Sequence, residues 1–353
     1  VLGKAKELVV VEMTDNTPLQ GATVIGKSGL IVGLTNEKGE ITSPSVSQYP
    51  LTIQYIGFKP VTIDAHTDTI ALTPAEYSLS EIVVNPCERP IKRMTFYARE
   101  YASGATGSDT LQLFTEYMFE AFLVDSNAKV KGYKKKDSNL RLKNLKRYAR
   151  YMNASGLDSI AKPDENDEIT LLSWKDILTV PNYKITVDSS LSTTSATSNE
   201  IDSVASPASG QYQLHKRNGV LSFISDPLTQ YKDHKWSPFF LKLLGLTIDV
   251  EEMLTMICYR VNDADCYSID DFMYETYSLH ILARGKVFKR IFKTDQPIEM
   301  DAYIELYPVS TTYITVDEYA EMRRDKTPLS FEVPTAVHPL SPAITSLINR
   351  LDQ

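Results

Sequence analysis

The chain has 353 residues, enough for roughly two domains of ordinary size. Hydrophobic residues make up 42% and charged residues 23%, which excludes a disordered or low-complexity chain and allows a sizeable core. The net charge of −8 argues against a nucleic-acid partner, and no apolar run approaches the roughly 18–20 residues that cross a bilayer.

In chain order, the first 85 residues read as short strands separated by turns. Pro18 presets φ for a turn, and Gly21 permits a tight approach before Ala22, Val24 and Gly26 begin a strand. Asn36-Glu37-Lys38-Gly39 is a turn between the apolar run Leu30-Ile31-Val32 and Ile41, with Gly39 at a positive φ. Leu51, Ile53 and Tyr55 alternate with Thr52 and Gln54, the pattern of a half-buried strand that ends at Gly57. Val61 and Ile63, then Ile70 and Leu72, continue the rhythm. Several strands at this spacing predict a β-sandwich.

Four motifs within this stretch carry a resemblance: Pro18-Leu19-Gln20-Gly21-Ala22-Thr23-Val24, Thr35-Asn36-Glu37-Lys38-Gly39-Glu40, Tyr55-Ile56-Gly57-Phe58 and Leu79-Ser80-Glu81-Ile82-Val83-Val84. In this order they resemble the carboxypeptidase regulatory-like domain, a transthyretin-type sandwich common in exported Bacteroidetes proteins. There it often precedes TonB-dependent outer-membrane receptors. Asn36 stands where aspartate is usual, and Glu40-Ile41 replaces an aromatic strand start. The resemblance covers about a quarter of the chain and implies a seven-stranded-type sandwich with an attachment role.

Asn85-Pro86-Cys87-Glu88-Arg89-Pro90 reads as a linker and places a boundary near residue 86. The glycine-rich residues 104–109 suit a hairpin turn. Residues 111–124 then fit a helix through Leu111, Phe114, Met118 and Phe122, or a strand through Leu113, Tyr117, Phe119 and Ala121; aromatic enrichment favours the strand. Residues 183–187, 219–224, 279–284, 286–292 and 303–307 also read as strands, and the Ser/Thr/Ala-rich residues 188–209 as a loop or partly ordered insertion. Residues 174–178, 251–257 and 269–272 suit short helical turns. Thr315-Val316-Asp317-Glu318 is a capping box, and Ser341-Pro342 opens a last helix. This second part, residues 86–353, is weakly similar to uncharacterised exported Bacteroidetes proteins. The similarity implies a β-rich α+β domain, for which a curved antiparallel sheet with a few helices, like that of lipoprotein carriers, is one form. No activity travels with it.

Charge is uneven. Residues 129–150 hold ten Lys/Arg against one acid, Asp137, a local net of +9 that leaves −17 elsewhere. Lys134, Lys135, Lys136, Arg141, Lys143, Lys146 and Arg147 are therefore a candidate patch for anionic surfaces, such as lipid headgroups or acidic polysaccharide. The alternative is an ordinary solvated face of strands or a helix.

Other chemical signals are weaker than they look. Residues 21–28 match the phosphate-loop pattern G-x4-G-K-S, but Ala22-Thr23-Val24-Ile25 is itself strand-like and no helix suits the position after Lys27. His66, His215, His234, His280 and His338 lack metal-ligand spacing, and no G-x-S-x-G occurs. Cys258 and Cys266 could pair across a hairpin or remain free; three cysteines, with Cys87, make no disulfide framework. Glu251-Glu252 and Asp270-Asp271 would support hydrolysis only if the fold aimed them into a cleft.

Residues therefore suggest no catalytic group, cofactor or metal. The expectation is a mainly β, non-catalytic cell-envelope protein that binds or scaffolds an outer-membrane or envelope protein, lipid or glycan at the periplasmic or outer-membrane face. The competing expectation is an envelope or glycan hydrolase whose carboxylates meet only in the fold. The chain opens on Val1 without a signal peptide, so a processed or shortened form of an exported protein is expected.

Overall fold

The computed structural model describes residues 7–75, 89–106, 109–124, 130–133, 141–152, 158–161, 191–192, 202–206, 210–217, 219–237, 242, 245–261, 266–267, 271–286, 289, 296–337 and 339–351. Sequence readings at 79–84, 85–88, 174–178 and 183–187 fall outside them.

Seven short strands open the chain: β1 (Glu7–Glu12), β2 (Thr23–Ile25), β3 (Ile31–Leu34), β4 (Glu40–Thr42), β5 (Leu51–Gln54), β6 (Val61–Ile63) and β7 (Thr69–Leu72). They form two sheets, β4-β1-β7 and β3-β2-β5-β6, with β1 and β7 parallel and the other pairs antiparallel. Leu8, Val10, Ile70 and Leu72 from one sheet meet Val24, Leu51 and Ile53 from the other in a single core. Each such buried side chain contributes about 1.5–3 kcal/mol of transfer free energy. The turns follow the sequence reading: Gly39 has φ 71°, and the Asn36 side chain accepts hydrogen bonds from the Lys38 and Glu40 amides. One detail differs. All four residues of β5 are buried, including Thr52 and Gln54, with the Thr52 and Thr62 hydroxyls 3.1 Å apart across β5 and β6.

The remainder is dominated by one ten-stranded antiparallel sheet. Its strands are β8 (Ile91–Thr106), β9 (Asp109–Val124), β10 (Arg141–Met152), β11 (Asp158–Ala161), β13 (Asp202–Ser206), β14 (Gly210–Arg217), β15 (Val220–Asp226), β16 (Leu246–Arg260), β18 (Phe272–Gly285) and β19 (Ile298–Ile314). The order is β11-β10-β9-β8-β19-β18-β16-β15-β14-β13, while β12 (Leu191–Ser192) and β17 (Cys266–Tyr267) pair separately. One meander, β8 to β11, runs from the interior to one edge; a second, from β13 through β14, β15, β16 and β18, runs from the other edge inward to β19, which lies against β8 and joins the two. At 17 residues β19 spans about 58 Å of extended chain. Two helices follow, α1 (Val316–Met322), capped by Thr315 and Glu318 as the capping box requires, and α2 (Pro342–Leu351).

Both faces of the central strands are buried. One carries Met94, Phe96, Ala98, Phe119, Ala121, Leu306 and Ile257. The other carries Tyr97, Met118, Met256, Tyr274 and Tyr307, which share one core with the sandwich. Further along this second face, α2 packs Ile344 and Ile348 with Tyr101, Phe114 and Tyr148, and α1 packs Tyr319 with Phe122. Two-sided burial explains a misreading. Residues 251–257 lie inside β16, not in a helix: a bulge between Val250 and Glu252 breaks the alternation, and apolar residues on both faces imitate helical spacing. Phe272 likewise begins β18. Of residues 286–292, read as a strand, the described Lys286 and Lys289 are helical, since β18 stops at Gly285. Within 188–209, Leu191–Ser192 and Asp202–Ser206 are short strands, the latter at the edge of the large sheet.

A side-chain test separates turn strain from steric collision. Gly39 and Gly219 both have positive φ, 71° and 76°, but a Cβ at Gly39 would collide with the Val10 carbonyl oxygen while one at Gly219 meets open space. Gly39→Ala is expected to cost at least about 1 kcal/mol more than Gly219→Ala, whose cost is the ordinary 1–2 kcal/mol of a left-handed alanine. Chemical denaturation of both variants checks this; equal costs would contradict the turn geometry.

Candidate functional site

The sandwich meets the large sheet along a seam built by close backbone approach and aromatic side chains. Gly21 (φ 79°) lies so close to Leu254 of β16 that a Cβ would strike its Cδ2. Tyr55 donates its hydroxyl to Met256 Sδ at 3.5 Å and its ring lies 5.4 Å from that of Phe58. At the other end of the seam, the β2–β3 turn docks on β8 and β9: the Ile31 amide donates to Ser103 Oγ at 3.3 Å and the Gln112 side chain donates to the Ser28 carbonyl. The phosphate-loop lookalike is thus a docking turn, with Lys27 and Ser28 in a β-hairpin and no helix behind them.

Along the seam a cleft of about 840 Å³ stays open. Tyr55 and Phe58 line it from the sandwich; Val220, Met273, Tyr274 and Arg260 line it from β15, β18 and β16. Its volume and mixed lining fall in the range of small-molecule pockets, and a site between two packed layers is a usual place for one.

Beneath the seam, the sheet buries charge. The Arg99 Nε and Glu305 Oε2 atoms are 2.5 Å apart, with side chains 8% and 3% exposed. Burial alone would push the Arg99 guanidinium down, but the Glu305 carboxylate reverses this and holds it above its ordinary value. Tyr307 also donates to Glu305 at 3.2 Å, and Tyr97 donates to Glu116 at 2.6 Å. Burial first, and then Glu116, keep the Tyr97 hydroxyl far above the usual phenol range, so it stays protonated. On the opposite face Tyr117 donates to Glu100 at 2.7 Å; on the same face as Arg99, Arg93 pairs with Glu120 at 2.6 Å. These described carboxylates are each engaged through one oxygen by a tyrosine or an arginine, an arrangement that offsets buried charge and fixes register.

The candidate basic patch divides. Arg141, Lys143 and Lys146 hold the chain that follows α1. Arg141 donates to the Arg323 carbonyl at 2.8 Å and Lys143 to that of Asp325 at 3.0 Å; Lys146 sits 4.4 Å above the Phe331 ring. Asn144 between them donates to the Leu329 carbonyl at 2.7 Å. Arg147 is in register with Thr115, its side chain outside the described residues, as are Lys134, Lys135 and Lys136.

Other titratable groups were not legible from spacing. His280 Nδ1 and Asp301 Oδ1 are 2.9 Å apart across β18 and β19, neighbours only through sheet register. The Asp301 hydrogen bond raises the His280 pKa above its ordinary value, aided by Glu252 and Glu251 of β16 and opposed by burial. Glu251 itself pairs with Lys235 at 2.5 Å. Ser43 Oγ, His66 and Asp68 also fall in hydrogen-bonded order, at 2.9 and 3.0 Å, but the Asp68 side chain is 91% exposed, so solvent weakens its hold on the imidazole. Cys258 is free and fully buried, and burial pushes its thiol up to about 11, leaving it protonated and inert; it forms no bridge to Cys266.

No family model and no curated protein matches the chain. Among solved structures it is similar to one described as lipid-protein interactions in lipovitellin, at 9% identity and a TM-score of 0.32. That match covers 72% of this chain and 28% of the other. No helix among the described residues is long and apolar enough to cross a membrane.

Two measurements check the electrostatics. Arg99→Ala should destabilise the protein by about 3–5 kcal/mol by leaving Glu305 buried and unpaired, whereas Arg99→Met with Glu305→Gln should recover much of the loss; an Arg99→Ala variant within 1 kcal/mol of the parent would contradict the buried pair. For His280, a raised folded-state pKa means stability fully present below the ordinary histidine value of about 6.5 and lost as pH rises through the folded value. The stability gap between the parent and His280→Gln should therefore shrink from pH 6 to pH 9. A gap that grew with pH would show the opposite linkage.

Proposed function

We propose that this protein is an exported, non-catalytic component of a Bacteroidetes-type cell envelope, with a binding or scaffolding role at the periplasmic or outer-membrane face. On this reading residues 1–85 are a carboxypeptidase regulatory-like sandwich, and residues 86–353 are the body on which it is mounted.

The observation that carries the reading is the form of the N-terminal unit. Seven strands in two sheets share one core, and three of the four resembling motifs supply its turns, with Gly21, Gly39 and Gly57 at φ 79°, 71° and 85°. A module of this kind has its chemistry at its surfaces and seams, which suits recognition. The long antiparallel sheet beside it offers a broad support, and the cleft between the two offers a place for a partner or ligand. The buried carboxylates are tied to arginine and tyrosine, which favours binding over hydrolysis.

Fractionation of cells that express the protein from its own gene tests the reading. The protein should appear in the periplasmic or outer-membrane fraction and become protease-accessible once the outer membrane is permeabilised. Recovery with cytoplasmic markers would overturn it.

A further inference from the structure

We propose that the seam cleft binds a small anionic amphiphile, a ligand with one carboxylate- or phosphate-type head and an apolar body. The proposal rests on the binding role above and names the ligand class for that site.

Charge is the first support. Arg260 is the one cation among the described residues lining the cleft; it stands at the end of β16, exposed, and no described carboxylate lies within ion-pair distance of it. The one acid among the described lining residues, Glu12, is only 2% exposed, so its carboxylate is not placed to contact a ligand. Among the described residues the cleft therefore offers a guanidinium with no carboxylate partner, whose planar fork suits carboxylate or phosphate oxygens.

Shape is the second. Beside Arg260, Gly219 leaves open space where any side chain would project, and the Val261 amide bonds the Gly219 carbonyl at 2.8 Å, so this side of the cleft is held by backbone. Inward from there the walls turn apolar and aromatic, with Tyr55 and Phe58 on one side and Met273 and Tyr274 on the other. These side chains are fixed from behind, Tyr55 by its bond to Met256 and Tyr274 by its ring contact with Tyr307 at 6.1 Å. A cation on one flank and an aromatic and apolar stretch of wall, with Thr14, Gln20 and Ser222 elsewhere in the lining, match an ion with a short hydrocarbon or aromatic body. A sugar would instead need a denser set of exposed polar groups.

The test is calorimetric titration of the purified full chain with octanoate, octyl phosphate, octanol and acetate, each below its aggregation concentration. Octanoate or octyl phosphate should saturate one site, and the better of the two identifies the head group. Octanol should bind about tenfold more weakly for lack of the charged contact, and acetate should show no saturable binding for lack of the apolar body. Arg260→Ala, at an exposed position, should lower the affinity for the anion about tenfold and leave octanol unchanged. Ala75→Trp, which fills the cleft, should abolish binding of both at an unaltered thermal midpoint. Absence of saturable anion binding, equal binding of octanoate and octanol, or an anion affinity indifferent to Arg260→Ala would overturn the proposal. An envelope protein that fails this titration loses only the ligand class; a cytoplasmic protein that passes it loses only the location.

Discussion

A guanidinium placed between the two central strands of a sheet must meet a carboxylate at that depth, or the strands cannot close over it. Arg99 and Glu305 satisfy this condition directly across the β8–β19 pair, flanked in the same register by Tyr97 opposite Tyr307 and Tyr101 opposite Tyr303. Slipping β19 by one residue would turn Glu305 to the other face and leave Arg99 buried against an apolar neighbour. Because β19 is the strand that joins the two meanders, this single register decides how the halves of a ten-stranded sheet lie beside each other. The net energy of such a pair is small beside the cost of misplacing it, so its effect is on specificity more than on stability.

The same register presents a continuous second face to the rest of the chain. Tyr97, Met118, Met256, Tyr274 and Tyr307 come into one surface from five strands, and the sandwich sits on it. Beyond the sandwich the face is covered by the segment after α1 and by α2. There the basic residues of β10 find backbone carbonyls and an aromatic ring to bind. Coverage is incomplete where Gly219 and Gly57 contribute no side chains, and the seam cleft opens there. The cleft is thus a consequence of seating a small sandwich on a long sheet.

Local chemistry was legible and long-range pairing was not. Pro18, Gly39, Gly57, the Thr315 capping box and the Ser341-Pro342 start all announce themselves through backbone preferences that need no partner. The need for a tight approach at Gly21 was equally visible, but its partner, Leu254, lies 233 positions along the chain. Residues 251–257 misled because alternation marks a strand only when one face is wet, and β16 is apolar on both. The basic run showed its charge, while the carbonyls of residues 323–329 that occupy Arg141, Lys143 and Asn144 could only be found in three dimensions. Arg260 gave no signal at all: an isolated arginine acquires meaning from the walls around it.

The central claim is that the sandwich rests on the sheet at the seam, and a double-mutant cycle between Gly21 and Leu254 tests it most directly. Gly21→Ala in the parent forces a Cβ against Leu254 in addition to the strain of its positive φ; in a Leu254→Ala background only the strain remains. The expected result is a clear coupling, with the penalty of Gly21→Ala smaller by at least about 0.5 kcal/mol in the Leu254→Ala background. Additive penalties, agreeing within about 0.3 kcal/mol, would mean that the two residues do not touch and that the seam is not as described.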